Sequence, residues 1–247
     1  ELRRAMGFTK GTERLVKALA KLTSGLRRQG HKETVVKKIV TSAQSFAAYG
    51  FPESHAIGFA MLAYASTWLK IHRAAPFFAS LLNNQPMGFY SPATLLQDGR
   101  RHGLTARPLC IQSSKWECTV EGDNVIRIGL RYVRGLRETE AQKVLAARAR
   151  QPFTSMDDFL RRTNLGAADH RALAAAGAFN AFTTHRRAAM WRIEVAWSDD
   201  EALFKQFTEA YTEETPLPRM TRTEELQADF AELGLTVGEH PMAQLRP

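Results

Sequence analysis

Fourteen consecutive residues without a charge, 56–69, constrain this chain more than any other feature. At helical spacing Ile57, Met61, Tyr64, Trp68 and Ile71 form one stripe, and Gly58, Leu62, Ala65 and Leu69 form a second. The predicted helix, residues 56–72, is therefore apolar nearly all round and is expected to be buried. An uncharged run of this length is too short to span a bilayer, so the expected burial is within protein. Ahead of it lies the polar strip Tyr49-Gly50-Phe51-Pro52-Glu53-Ser54-His55. Gly50 and Pro52 bend the chain, Ser54 is a good N-cap, and the first helical amides have no intrahelical partners. Such a helix mouth can hold an anion, and a buried helix would fix Ser54 and His55 relative to the core. The spacing alone is weakly specific, because many helices begin this way and bind nothing.

The charge is unevenly spread. Residues 1–110 carry 16 Lys+Arg against 5 Asp+Glu, residues 111–190 carry 13 against 8, and residues 191–247 carry 5 against 12. A cationic body favours a polyanion through Coulomb attraction and counterion release, whereas the acidic tail would repel one. With 247 residues, 44% hydrophobic and 24% charged, the chain has ordinary globular composition and room for two domains. Cys110 and Cys118 are too few for a disulfide framework and have no zinc-ligand spacing, so a reducing cytoplasm is the expected compartment. Glu1 opens the chain without an initiator Met or a leader, which reads as a piece of something larger.

Along the chain, Leu15, Leu19, Leu22 and Leu26 recur at helical spacing while Lys10, Arg14, Lys17, Lys21 and Arg28 recur on another face, roughly 140° away. That basic face is either merely solvated or turned toward phosphates. Further helices are predicted over 33–49, 76–82 and 93–102, the last opened by Ser91-Pro92 and closed by Gly103. The period then changes. Trp116, Cys118 and Val120 alternate with polar residues, Gly122-Asp123-Asn124 turns the chain, and Ile126, Ile128 and Leu130 alternate again, which predicts a β-hairpin over 115–130. Next, Val133-Arg134-Gly135-Leu136-Arg137 is an apolar-Gly-apolar turn opening a helix. A second helix–turn–helix unit runs from Met156 to Phe179, including Ala176-Gly177-Ala178-Phe179. Residues 197–218 read as an acidic connector, and 224–233 as one more amphipathic helix.

Leu2-Arg3-Arg4-Ala5-Met6-Gly7, the strip 49–56, Trp68-Leu69-Lys70 and Leu81-Leu82-Asn83 together resemble the fingers region of bacterial C-family DNA polymerases, the DNA polymerase III alpha subunits. Pro52-Glu53 and Gln85-Pro86-Met87-Gly88-Phe89-Tyr90-Ser91-Pro92 resemble the error-prone, damage-inducible branch. The similarity runs through nearly the whole chain to Leu233-Gly234-Leu235 and His240-Pro241. It implies a mainly α fold. Residues 1–85 would be the C-terminal part of the fingers, 86–185 a tandem helix-hairpin-helix DNA-binding domain with the hairpin 115–130, and 186–247 an acidic connector toward an oligonucleotide-binding domain. It also implies that Arg3 and Arg4 lie near the incoming nucleotide with Ser54 and His55, in keeping with forked guanidinium–phosphate pairing and donors at a helix mouth. Lys10, Arg14, Lys17, Lys21, Arg134, Gly135, Arg137 and Lys143 are the candidate DNA contacts.

Two departures from the family pattern stand out. The replicase branch has Asn-Lys where this chain has Pro52-Glu53, which puts a carboxylate beside the expected triphosphate and predicts a looser nucleotide grip. A phosphate-binding hairpin usually reads Gly-apolar-Gly, but here the last position is Arg137, so either its side chain supplies the contact or the hairpin is structural. The second unit, with its Ala-rich turn, reads as packing.

Two-metal nucleotidyl transfer needs carboxylates held together, and this chain offers no convincing pair. Asp157 and Asp158 are neighbours on a predicted helix, where successive side chains diverge. The family's catalytic aspartates and Mg2+ are expected in a palm preceding Glu1, so no residue here is expected to be catalytic or to bind metal. The expected partners are primer-template DNA, deoxynucleoside triphosphates, and damage-response accessory proteins or a sliding clamp, the last faintly suggested by Leu203-Phe204; no membrane is expected. The alternative reading is a non-catalytic helix-hairpin-helix module that binds nucleic acid and has no nucleotide site.

Overall fold

The computed structural model describes residues 11–49, 53–198 and 215–244. The chain divides into two compact units, residues 1–66 and 67–247.

In the first unit, α1 (Gly11–Arg28) and α2 (Glu33–Tyr49) form a helical hairpin. The leucine stripe of α1 faces α2, with Leu19 and Val36 buried at the contact. Lys17 and Lys21 are exposed, as expected of the basic face. Gly30 takes a φ of 78°, and His31 donates its amide to the Leu26 carbonyl at 3.2 Å, closing α1. Arg27 clamps the turn with two hydrogen bonds to Glu33, of 3.0 and 2.6 Å. Both side chains are about half exposed, so this pair adds little to stability.

Helix α3 (Glu53–His72) begins in the first unit and ends in the second. It forms where the uncharged run predicts a helix, but the expected burial is overturned: Ile57, Phe59, Met61, Leu62, Tyr64, Trp68, Leu69 and Ile71 are all exposed. Apolar composition sets how much a helix gains from burial, not whether a covering surface is present. A second correction concerns Ser54, which sits inside the first turn rather than at the N-cap, because the helix already starts at Glu53.

The second unit holds the core. Its elements are α4 (Ala74–Asn83), α5 (Pro92–Arg101), β1 (Thr105–Arg107), β2 (Thr119–Gly122), β3 (Val125–Arg127), a 3-10 turn (Leu130–Tyr132), α6 (Glu138–Arg150), α7 (Met156–Thr163), α8 (Ala167–Ala175), α9 (Arg186–Ser198) and α10 (Arg222–Leu233). The fold is mainly α, as read from the sequence. Ser91 caps α5 by accepting from the Thr94 amide, with Pro92 in the first turn. Thr221 and Glu224 form a capping box at α10.

The predicted β-hairpin is present but short, and it gains a partner that alternation did not reveal. The sheet order is β1-β3-β2; β3 pairs antiparallel with β2 and parallel with β1. Trp116 and Cys118 precede β2, and Ile128 and Leu130 follow β3. Gly129 explains the early end of the ladder. A Cβ there would lie 2.4 Å from the Trp116 carbonyl oxygen and from the Glu117 carbonyl carbon, so only glycine lets the two backbones cross. Phe78, Leu96, Ile111, Ile126, Ile128 and Leu130 fill the space between sheet and helices. Deeper along the same core, Phe159 meets Phe153 and Phe179 edge-on at centroid distances of 5.1 and 5.0 Å.

Candidate nucleic-acid interface

The hairpin at 133–137 grows directly out of the core. Leu130 is fully buried and starts the 3-10 turn, the Val133 amide donates to the Leu130 carbonyl at 2.9 Å, and the Leu136 amide donates to the Val133 carbonyl at 3.2 Å. Val133 and Leu136 are buried and act as pegs, leaving Arg134 and Gly135 exposed between them. Gly135 has φ 83°, a conformation that strains any residue with a Cβ, and no heavy atom lies within 4 Å of where that Cβ would be. The backbone at Gly135 is therefore bare toward solvent.

Arg137 follows as the N-cap residue of α6, in extended conformation, exposed and without a side-chain cap. Among the described residues the amides of Gly135 and Arg137 donate to no backbone carbonyl. Unpaired amides at a helix start, with two flanking guanidinium groups, make a site for a phosphate. Lys143 is on the same helix, but its ammonium is 2.7 Å from Glu140. That hydrogen bond holds the Glu140 carboxyl below the usual carboxylate range. The structure thus brings Arg134, Gly135, Arg137 and Lys143 into one hairpin–helix unit, with Lys143 already engaged.

The second hairpin, Ala176-Gly177-Ala178, repeats the backbone and reverses the exposure. Gly177 has φ 78°, but it is buried, and the Arg186 guanidinium lies 3.0 Å from where its Cβ would be. The amides here are used internally: Gly177 donates to the Ala174 carbonyl and Ala178 to that of Leu173, each at 2.9 Å, while the Ala178 carbonyl accepts from Ile111 at 2.8 Å. Arg186 is in turn held by Asp229 at 2.6 Å, and Asp229 accepts from Thr236 Oγ1 at 2.6 Å. This hairpin packs; it offers nothing to a ligand. Arg186 has no sequence signature, because its partner lies 43 residues away.

Ser54 and His55 are exposed at the start of α3. They line an open groove of about 630 Å3 with Gly58, Phe59, Met61, Leu62 and Ala65. The His55 ring meets Phe59 edge-on at 4.5 Å, and most of the groove wall is apolar. Arg3, Arg4, Lys10 and Leu203-Phe204 lie outside the described residues, as does the side chain of Arg14. Asp157 is paired with Arg192, and Asp158 with Arg162 at 2.8 Å and the Thr154 amide at 3.1 Å. Neither carboxylate is free for a metal, and among the described residues no group of three or more His, Cys, Asp or Glu is placed to hold one. The described residues do not fit the pair of Mg2+ ions that the resemblance implies.

The described residues contain no helix long and apolar enough to cross a membrane.

The helix-hairpin-helix motif family matches residues 103–189, which span both hairpins. The whole chain is homologous to error-prone DNA polymerases: 44% identical over 252 residues to that of Alkalilimnicola ehrlichii, 42% over 255 to that of Burkholderia mallei, and 41% over 250 to that of Pseudomonas aeruginosa. In each case the whole of this chain is covered, and it spans about a quarter of the relative's length.

Proposed function

We propose that this chain is the DNA- and nucleotide-contacting segment of an error-prone DNA-directed DNA polymerase acting in DNA repair and translesion synthesis. The observation that carries the reading is the bare Gly135 backbone between two buried pegs, flanked by Arg134 and Arg137, within a chain matched from end to end by such polymerases. The hairpin grips the sugar-phosphate backbone without reading bases, which suits an enzyme that must slide along any sequence. The N-terminal helices form the last part of the fingers. In this reading Arg3, Arg4, Ser54 and His55 contact the triphosphate, and Lys10, Arg14, Lys17 and Lys21 contact the DNA. Glu53 in place of a lysine loosens the grip on the nucleotide. The carboxylates and Mg2+ that perform transfer belong to the part of the polymerase beyond this chain, in the cytoplasm, and this segment alone extends no primer.

The DNA contact is tested by anisotropy of a labelled duplex across a salt series. Arg134→Ala with Arg137→Ala is expected to lower the slope of log affinity against log salt by about two; an unchanged slope refutes the hairpin contact. The nucleotide role is tested in the complete polymerase. Arg3→Ala with Arg4→Ala should raise KM for deoxynucleotides and Glu53→Lys should lower it; unaltered kinetics would leave the reading of a helix-hairpin-helix module without a nucleotide site.

A further inference from the structure

Residues 84–91 connect α4 to α5, and their tip carries the most exposed large apolar side chain among the described residues. Phe89 is 102% exposed and the adjacent Tyr90 is 61% exposed. Gly88, just before them, has φ 61° with open space around it. Exposure of this degree usually marks a slack loop, but both ends of this one are tied to the core. The Asn83 side chain donates to the Cys118 carbonyl at 2.9 Å and accepts from the Cys118 amide at 2.8 Å. The Arg131 guanidinium reaches the carbonyls of Asn83 and Gln85, and the Tyr132 hydroxyl donates to that of Leu82 at 2.9 Å. At the far end stands the Ser91 cap.

The bracing residues decide what the tip is for. Arg131 and Tyr132 belong to the 3-10 turn that runs straight into Val133 and the open hairpin. Phe89 lies four residues beyond the Gln85 carbonyl that Arg131 holds, and Gly135 four residues beyond Arg131, each at most ~14 Å of extended chain. The base of the loop that carries both aromatic side chains is thus braced by the turn that leads into the phosphate site. The turn and hairpin that the brace leads into carry three arginines, Arg131, Arg134 and Arg137, the last two exposed.

We infer that Phe89 and Tyr90 form a stacking platform for unpaired nucleobases of a single strand whose duplex portion is held at the Gly135 hairpin. The inference rests on the hairpin reading for its geometry. An aromatic face stacks on any base, so the platform is tolerant of sequence, and bracing at the loop's base lowers the ordering cost of binding.

The test uses the 247-residue chain and a single-stranded oligonucleotide of about a dozen nucleotides containing 2-aminopurine, whose fluorescence falls on stacking. Wild type is expected to quench the probe. Phe89→Ala with Tyr90→Ala is expected to abolish quenching and weaken single-strand affinity roughly tenfold, with duplex affinity within twofold. Phe89→Trp should restore both. Unchanged quenching and affinity in the double-alanine variant overturn the platform. So does a concentration-dependent dimer that the double variant dissolves without any change in quenching, because the tip would then belong to a second copy. Binding to duplex but not to single strands overturns the platform and leaves the hairpin reading intact. Phe89-dependent quenching with no dependence on Arg134 or Arg137 supports the platform and counts against the hairpin.

Discussion

Gly135 and Gly177 have nearly the same backbone, with φ of 83° and 78°, yet one faces solvent and the other is covered by an arginine. Each sits between apolar residues in a turn that leads toward a helix. At the first, the pegs Val133 and Leu136 point inward and lift the glycine out. At the second, Ala176 and Ala178 are themselves buried, and the guanidinium of Arg186 closes over the turn and pairs with Asp229. The motif therefore specifies a backbone shape, not a ligand. Whether that shape binds phosphate depends on which groups occupy the space in front of it.

The largest expected effect comes from removing the cover. Arg186 and Asp229 are only 13% and 12% exposed, so Arg186→Ala leaves a buried carboxylate with one neutral partner, Thr236. It should cost about 3–5 kcal/mol in denaturant unfolding. If the freed hairpin then bound DNA, the covering arginine would be what keeps the second turn closed.

Acid should act on the same half of the core. His170 is buried against Phe159, accepts from the Trp197 indole at 3.2 Å through Nδ1, and leaves Nε2 without a hydrogen-bond partner among the described residues. Burial pushes its pKa down to about 4. The unfolded imidazole takes up a proton near 6.5 while the folded one stays neutral to about 4, so the unfolded state binds more protons in that window. Stability is thus intact above pH ~6.5 and falls as the pH drops toward 4, by about 3 kcal/mol in all. His170→Phe should flatten that dependence in unfolding curves taken between these limits.

Alanine in place of each glycine separates shape from ligand. Gly135→Ala should cost about 1–2 kcal/mol in stability from its positive φ, and weaken duplex affinity about tenfold because the bare backbone is lost. Gly177→Ala should cost more in stability, since Arg186 must also give way, with duplex affinity of the folded protein unchanged. Equal effects on affinity would erase the distinction. The smallest effect is expected at Lys143, where the pair with Glu140 is already formed: Lys143→Ala should change stability by under about 1 kcal/mol and the salt slope by less than one unit.

Much of this was readable from residue order. The leucine stripe of α1, the cap at Ser91, the turn at Gly122-Asp123-Asn124 and the glycine of each hairpin all depend on neighbours a few positions away, and each took the form its chemistry dictates. The failures share a cause as well. The exposure of α3, the parallel strand β1 and the early end of the ladder at Gly129 all depend on what arrives from elsewhere in the chain. Residue order also favoured packing for the second turn through its alanines, but it held no trace of Arg186, whose carboxylate partner is 43 positions downstream.

Periodicity, capping and handed glycines thus sufficed for the helices, the turns and the basic body, because these arise from short-range sterics and hydrogen bonding that no distant contact must complete. Burial, the third strand and the difference between an open and a covered hairpin awaited the folded chain. Each is a relation between surfaces far apart in sequence, and a sequence states what a surface prefers without stating what will meet it.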